Sequence, residues 1–81
     1  MSSRSYSIIQ RSPDLGGGWK LVLFDAKGEA GGGVFPIEPY MPEATRLADV
    51  SDKPIPDIAS DLAYLDAYEQ GESFCAAPID Q

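Results

Sequence analysis

Histidine is absent from these 81 residues. The side chain that most often serves as general base near neutral pH is therefore missing, as are the imidazole ligands of most zinc centres. Cysteine occurs once, at Cys75. A lone thiol cannot close an internal disulfide, which suits a reducing cytoplasm. Phe74 precedes it and two alanines follow, so no activating base can be paired with it as a nucleophile. The acids do not form the Asp-x-Asp-x-Asp-Gly loop of a calcium hand. No apolar run approaches the ~18 residues of a membrane-spanning helix. The opening Met-Ser-Ser-Arg-Ser-Tyr has no apolar signal segment behind it. These absences lead us to expect no enzyme, no metal, no cofactor and no membrane contact.

Positive charge is also scarce. Six Lys and Arg stand against 13 Asp and Glu, a net charge of −7. The imbalance is confined to one half. Residues 1–36 hold Arg4, Arg11, Lys20 and Lys27 against Asp14, Asp25 and Glu29; residues 37–81 hold only Arg46 and Lys53 against ten acids. An acidic array of this kind repels nucleic acid and anionic membranes and attracts basic partners. Apolar content is 43 %, too high for a disordered chain. The length bounds the chain to a single domain, 1–81, with a small core. Small cores without disulfide or metal often lean on a partner or on self-association.

The first half reads with period 2. Ser5 to Arg11 alternates, with Tyr6, Ile8 and Gln10 on one side. Pro13 and Gly16-Gly17-Gly18 then make a wide turn. Trp19 to Phe24 is apolar on both faces, Trp19/Leu21/Leu23 and Lys20/Val22/Phe24, as a central strand would be. Asp25-Ala26-Lys27-Gly28 has the residues of a tight hairpin. A third strand over residues 29–35 carries Gly31-Gly32-Gly33, which favours a bulge, and Pro36 ends it. The second half changes to period 3.6. Pro36, Pro39 and Pro42 suggest an extended connection, with Pro42 opening a short helix over residues 43–50 whose Leu47 and Val50 face the sheet. A longer helix is expected over residues 57–70, capped by Asp57, stopped by Gly71 and buried along Ile58, Leu62 and Leu65. Residues 72–81 read as a loose tail on which Phe74 alone could dock. The expected fold is α+β: a three-stranded antiparallel meander followed by one short and one longer helix packed on one face.

Gly16-Gly17-Gly18-Trp19-Lys20 superficially suggests a phosphate loop. The required context is a helix after the glycines and Ser or Thr after the lysine; here a strand follows, so the turn is read as structural. Trp19, at the start of a central strand, is read as a core residue rather than a ligand platform. The longer helix offers more. Asp57, Asp61, Tyr64 and Tyr68 fall at i, i+4, i+7 and i+11, a stripe of carboxylates and phenols, with Asp66, Glu69 and Glu72 nearby. Such a stripe supplies hydrogen-bond acceptors and flat aromatic area together, the mixture common at binding interfaces. A solvated helix face flanked by rim tyrosines would look the same.

Leu15-Gly16-Gly17-Gly18-Trp19-x-Leu21-x-Leu23 followed by Gly31-Gly32-Gly33-Val34-Phe35-Pro36 resembles a pattern in small uncharacterised plasmid- and phage-borne proteins, over roughly the first half of the chain. That group carries no assigned chemistry. In size and charge the chain is also similar to anti-CRISPR proteins, some of which block surfaces that would otherwise bind nucleic acid. The resemblance implies a mobile-element protein. The resulting expectation is a non-enzymatic inhibitor or adaptor in the cytoplasm that masks a basic, nucleic-acid-binding surface of a host protein. Its contacts would be Asp57, Asp61, Tyr64, Asp66, Tyr68 and Glu69, competing with phosphates for Lys and Arg. The alternative is a structural or regulatory module working as a homodimer through an apolar strand edge or helix face.

Overall fold

The computed structural model describes residues 3–77. Three strands, β1 (Ser5–Gln10), β2 (Trp19–Asp25) and β3 (Gly28–Phe35), form an antiparallel meander in the order β1-β2-β3. The helical half contains α1 (Met41–Leu47) and α2 (Ile55–Ala76). The α+β architecture is the expected one. β2 is central, the strand apolar on both faces. Its pairing puts Tyr6, Ile8, Leu21, Leu23, Trp19 and Phe35 on the face that meets α2, and Ser7, Ile9, Lys20, Val22, Phe24 and Val34 on the other.

The wide turn holds a short 3-10 helix (Pro13–Leu15), whose N-cap Ser12 accepts from the Asp14 N–H. Gly16, Gly17 and Gly18 follow with φ of 99°, 65° and 77°. The backbone must run left-handed here to return into β2. A Cβ on Gly18 would also collide with the Phe35 carbonyl, so only glycine fits. At the hairpin the Asp25 carboxylate accepts from the Lys27 N–H at 2.8 Å, closing the two-residue loop. In β3 the register slips by one: Leu23 pairs with Gly31 but Phe24 with Glu29. Ala30 is the extra residue, a bulge beside the glycines.

The helical half departs from the sequence reading in several places. The proline-rich connection is not extended, because Glu38–Tyr40 forms a 3-10 turn leading directly into α1. Proline is compatible with the first turn of a helix, where its missing N–H would have no partner. A second 3-10 turn, Ala48–Val50, follows α1. Leu47 packs with Ala44, Ile58 and Ala59, so α1 is seated on α2, while Val50 is 87 % exposed rather than facing the sheet. α2 begins two residues before Asp57, with Pro54 as N-cap in extended conformation. Asp57 therefore lies in the first turn, where its charge favours the helix dipole without capping it.

The buried stripe of α2 also differs from the expected one. Ile58 is buried and Leu62 half-buried, but Leu65 is 54 % exposed. The other buried residues of α2 are Ala59, Ala63, Ala67 and Gly71, spaced by four; Ala59 joins the cluster under α1 and Gly71 lies against the sheet at Tyr6. Hydrophobic periodicity points to large side chains, whereas much of the buried side of α2 is made of small ones. Leu21, 1 % exposed, is the largest fully buried side chain. Gly71 does not stop the helix: it lies under the Tyr6 ring, and a Cβ there would sit 2.5 Å from Tyr6 Cδ2. Residues 72–76 continue α2 rather than forming a tail, and residues 78–81 lie outside the described residues. Arg4 fastens this end. It donates to the Phe74 carbonyl at 3.0 Å with its guanidinium 4.8 Å over the Phe74 ring, a cation at the last turn of a helix.

Gly71→Ala is expected to destabilise the fold by about 1–3 kcal/mol through overpacking against Tyr6. At an unencumbered helical position the same change gains about 1 kcal/mol. A urea titration reads the sign, and a gain would place Tyr6 elsewhere. Leu65→Ala should change stability by less than about 0.5 kcal/mol, as a solvent-facing position does.

Candidate functional site

The outward side of α2 is where the sequence-predicted residues divide. At about 100° per residue, Asp57, Asp61, Tyr64 and Tyr68 fall within one narrow ridge, and all four are exposed. Leu65 lies beside them, adding apolar area. Asp66 is on the opposite side of the helix. Its carboxylate accepts a 2.7 Å hydrogen bond from the Tyr40 hydroxyl, so it is committed to holding the connection before α1. Glu69 sits off the ridge, and together with Asp66, Gln70, Ser73 and Phe74 it lines an open depression of about 660 Å³. The structure therefore gathers four of the six expected contact residues and separates two.

Tyr64 is the fixed point of the ridge. Its ring meets Trp19 edge-on, with centroids 5.0 Å apart and planes at 79°. The indole is held in turn: Trp19 Nε1 donates to the Ser60 carbonyl at 3.0 Å and to Ser60 Oγ at 3.1 Å. Trp19 is thus half-buried and oriented by a hydrogen bond, as buried indoles usually are, and it braces a partly exposed tyrosine. Aromatic area that is already ordered loses little entropy on binding.

The charges are less constrained. Asp61 pairs with Lys53 at 2.7 Å, and the hydrogen bond to this carboxylate raises the Lys53 pKa, with a smaller contribution from the charge of Asp57. Both side chains of the pair are more than half exposed, so the contact is screened and adds little stability. A bidentate arginine could displace it. Among the described residues no group of three or more potential ligands could hold a metal ion.

Two further tyrosines act as ties. Tyr6 donates to Glu72 at 2.6 Å. Its phenol is pushed up to about 12, by that hydrogen bond first and by desolvation second. Tyr40 is also pushed up to about 12, by desolvation and then by its bond to Asp66. Neither tie was visible in sequence, because the partners are 66 and 26 residues apart. The sequence also gave no sign of an apolar groove of about 860 Å³ between the glycine turn and the start of α2, lined by Leu15, Gly17, Ile37, Met41 and Pro56 among others. Its walls come from three separate segments, residues 10–18, 36–41 and 56–60. At its edge Arg11 donates to the Gly17 and Leu15 carbonyls at 2.8 and 2.7 Å, which fixes the turn.

No family model, no curated protein and no solved structure matches this chain. No helix among the described residues is long and apolar enough to cross a membrane.

The two raised phenols make stability depend on pH in a defined window. A group whose folded pKa lies above its unfolded value contributes stability that is complete below the unfolded pKa and lost as pH rises through the folded one. For Tyr6 and Tyr40 the loss runs from about pH 10 to about 12. The Tyr6→Phe/Tyr40→Phe double variant should show a shallower fall over that window in denaturation midpoints. By ultraviolet absorbance, each single variant should lack one phenol that ionises near 12.

Proposed function

We propose that this protein is a non-enzymatic acidic binding protein, of the anti-CRISPR-like kind carried by mobile elements, that masks a basic nucleic-acid-binding surface of a cytoplasmic host protein. The observation that carries the reading is the ridge of α2. Asp57, Asp61, Tyr64 and Tyr68 stand in one exposed line, and Tyr64 is braced by Trp19. The ridge matches what a phosphate-binding surface recognises: two carboxylates one turn apart, which accept from Lys and Arg, followed along the same axis by two flat rings for guanidinium stacking. Across the chain 13 acids against six bases add a long-range attraction that accelerates encounter with a basic partner. Asp66 contributes to this field but not to the contact, because Tyr40 holds it on the far side. Glu69 would contact only a partner that wraps beyond the ridge.

The test is capture of the partner on immobilised protein, followed by binding titrations at two salt concentrations with and without competing nucleic acid. Asp57→Lys/Asp61→Lys should weaken binding by at least about tenfold, equivalent to ~1.4 kcal/mol. Tyr64→Ala should weaken it as well. Asp14→Lys, exposed in the turn of the nearly neutral half, should leave it unchanged. The wild-type complex should weaken as salt rises, since exposed charges are screened beyond about 8 Å at physiological ionic strength. Ridge variants that bind as tightly as wild type, with circular dichroism showing an intact fold, would refute the reading.

A further inference from the structure

The groove between the glycine turn and the start of α2 meets the ridge at one residue, Asp57, which lines it. Its volume of about 860 Å³ lies within the range of about 300–1,000 Å³ typical of ligand sites. The apolar part of the lining includes half-buried Ile37 and Met41, and Leu15, which is 67 % exposed.

The polar part is rich in acceptors and poor in donors. Pro13, Pro36, Pro39 and Pro56 line the groove and have no N–H to offer. The glycine turn has spent its own: Gly16 donates to the Pro13 carbonyl at 3.0 Å and Gly17 to the Ser12 carbonyl at 3.1 Å. Among the described residues Arg11 is the one base in the lining, and its guanidinium is held by the Gly17 and Leu15 carbonyls. Gln10 and Ser60 can donate or accept, and Ser60 Oγ already accepts from Trp19 Nε1. Against these stand two exposed carboxylates, Glu38 and Asp57, which only accept. Among the described residues neither is in an ion pair.

We propose that this groove is a second contact for the basic partner, and that its occupant is a segment of that partner carrying one large apolar side chain beside an arginine or lysine. The proposal rests on the ridge reading for the nature of the partner. Charge complementarity selects the occupant. An apolar side chain covers Leu15, Ile37 and Met41, and the base beside it donates to Glu38 and Asp57. A phosphate or carboxylate ligand would meet acceptors where it needs donors, and the net charge of −7 would repel it. A bare basic segment would leave the apolar lining wet. The site is also preorganised. Arg11 fixes the turn through its side chain, and its N–H donates to the Gly18 carbonyl at 3.0 Å. The proline walls lose no side-chain freedom on binding. Because Asp57 belongs to both sites, a partner seated on the ridge lies at the edge of the groove.

The test is a titration followed by the backbone amide NMR signals of Leu15, Gly17, Ile37 and Ser60, with acetyl-Arg-Leu-Arg-amide as the probe at up to about 10 mM, a range that suits a contact of tripeptide size. These signals should move together and saturate. Acetyl-Arg-Ser-Arg-amide should bind at least about threefold more weakly, because no apolar side chain is buried. Acetyl-Ser-Leu-Ser-amide should also bind at least about threefold more weakly, because the exposed ion pairs are lost. Acetyl-Glu-Leu-Glu-amide should leave the signals in place. Leu15→Ser and Glu38→Lys should each weaken the first peptide at least about threefold with native circular dichroism, since both side chains are exposed. Glu29→Lys, the same charge change at the hairpin end of the sheet, should alter its affinity less than about twofold.

Unmoved groove signals overturn the proposal. So does an Arg-Ser-Arg peptide that binds as tightly as the Arg-Leu-Arg one, which indicates charge attraction alone, or a Glu29→Lys loss equal to that of Glu38→Lys. The ridge is read separately, by Asp57→Lys/Asp61→Lys against the captured partner. If those variants bind normally while the peptide fills the groove, the ridge reading fails and the groove stands. If they lose binding while the peptide leaves the groove unmoved, the groove fails and the ridge stands.

Discussion

The close approach of α2 to the sheet governs the rest of this structure. Ala59, Ala63, Ala67 and Gly71 form a ladder of the smallest side chains, one turn apart, running from the α1 cluster at Ala59 to the Tyr6 ring at Gly71. Small residues on one partner require large ones on the other. Leu21 fills the centre, and Tyr6 lies flat over the position where a side chain at residue 71 would stand. Alanine buries little apolar area, at ~0.8 kcal/mol per methylene-sized group, so the interface is modest in energy and depends on fit. Its register is set by polar ties along α2: Trp19 to Ser60, Tyr6 to Glu72 and Arg4 to Phe74. The large side chains of α2 are thereby turned away from the sheet. Leu62 packs with the α1 cluster, while Tyr64, Leu65 and Tyr68 reach the surface. The aromatic character of the outward ridge is a consequence of alanines holding the inward one.

Charge contributes to this fold in a different way from packing. Only two ion pairs join side chains among the described residues, Arg46–Glu43 and Lys53–Asp61, and both are exposed. Pairs of that kind contribute at most about 1 kcal/mol. Among the described residues Glu43 and Asp61 are the acids in these ion pairs, and repulsion within an excess of acids works against compactness. An arrangement so unfavourable for stability has its physical effect outside the molecule, on solubility and on the approach of charged partners. The neutral phenol bonds of Tyr6 and Tyr40 are the counterpart. They use Glu72 and Asp66 as acceptors without needing a base, in a chain with few bases to offer.

Much of the topology was legible because it rests on local chemistry. The strands followed from alternation, the central position of β2 from its two apolar faces, and the turns from glycines whose left-handed angles few other residues adopt. The limits of α2 were not legible, because the cues have two meanings. A glycine near a helix end commonly marks a C-cap, but Gly71 is there for Tyr6, 65 residues away in sequence. Asp57 has the identity of a cap, yet the prolines three and one residues before it, Pro54 and Pro56, begin the helix earlier. The site was half legible for the same reason. Helical spacing correctly put Asp57, Asp61, Tyr64 and Tyr68 in one line. It did not reveal that Asp66 serves Tyr40, since side-chain partners across 26 residues leave no periodic trace.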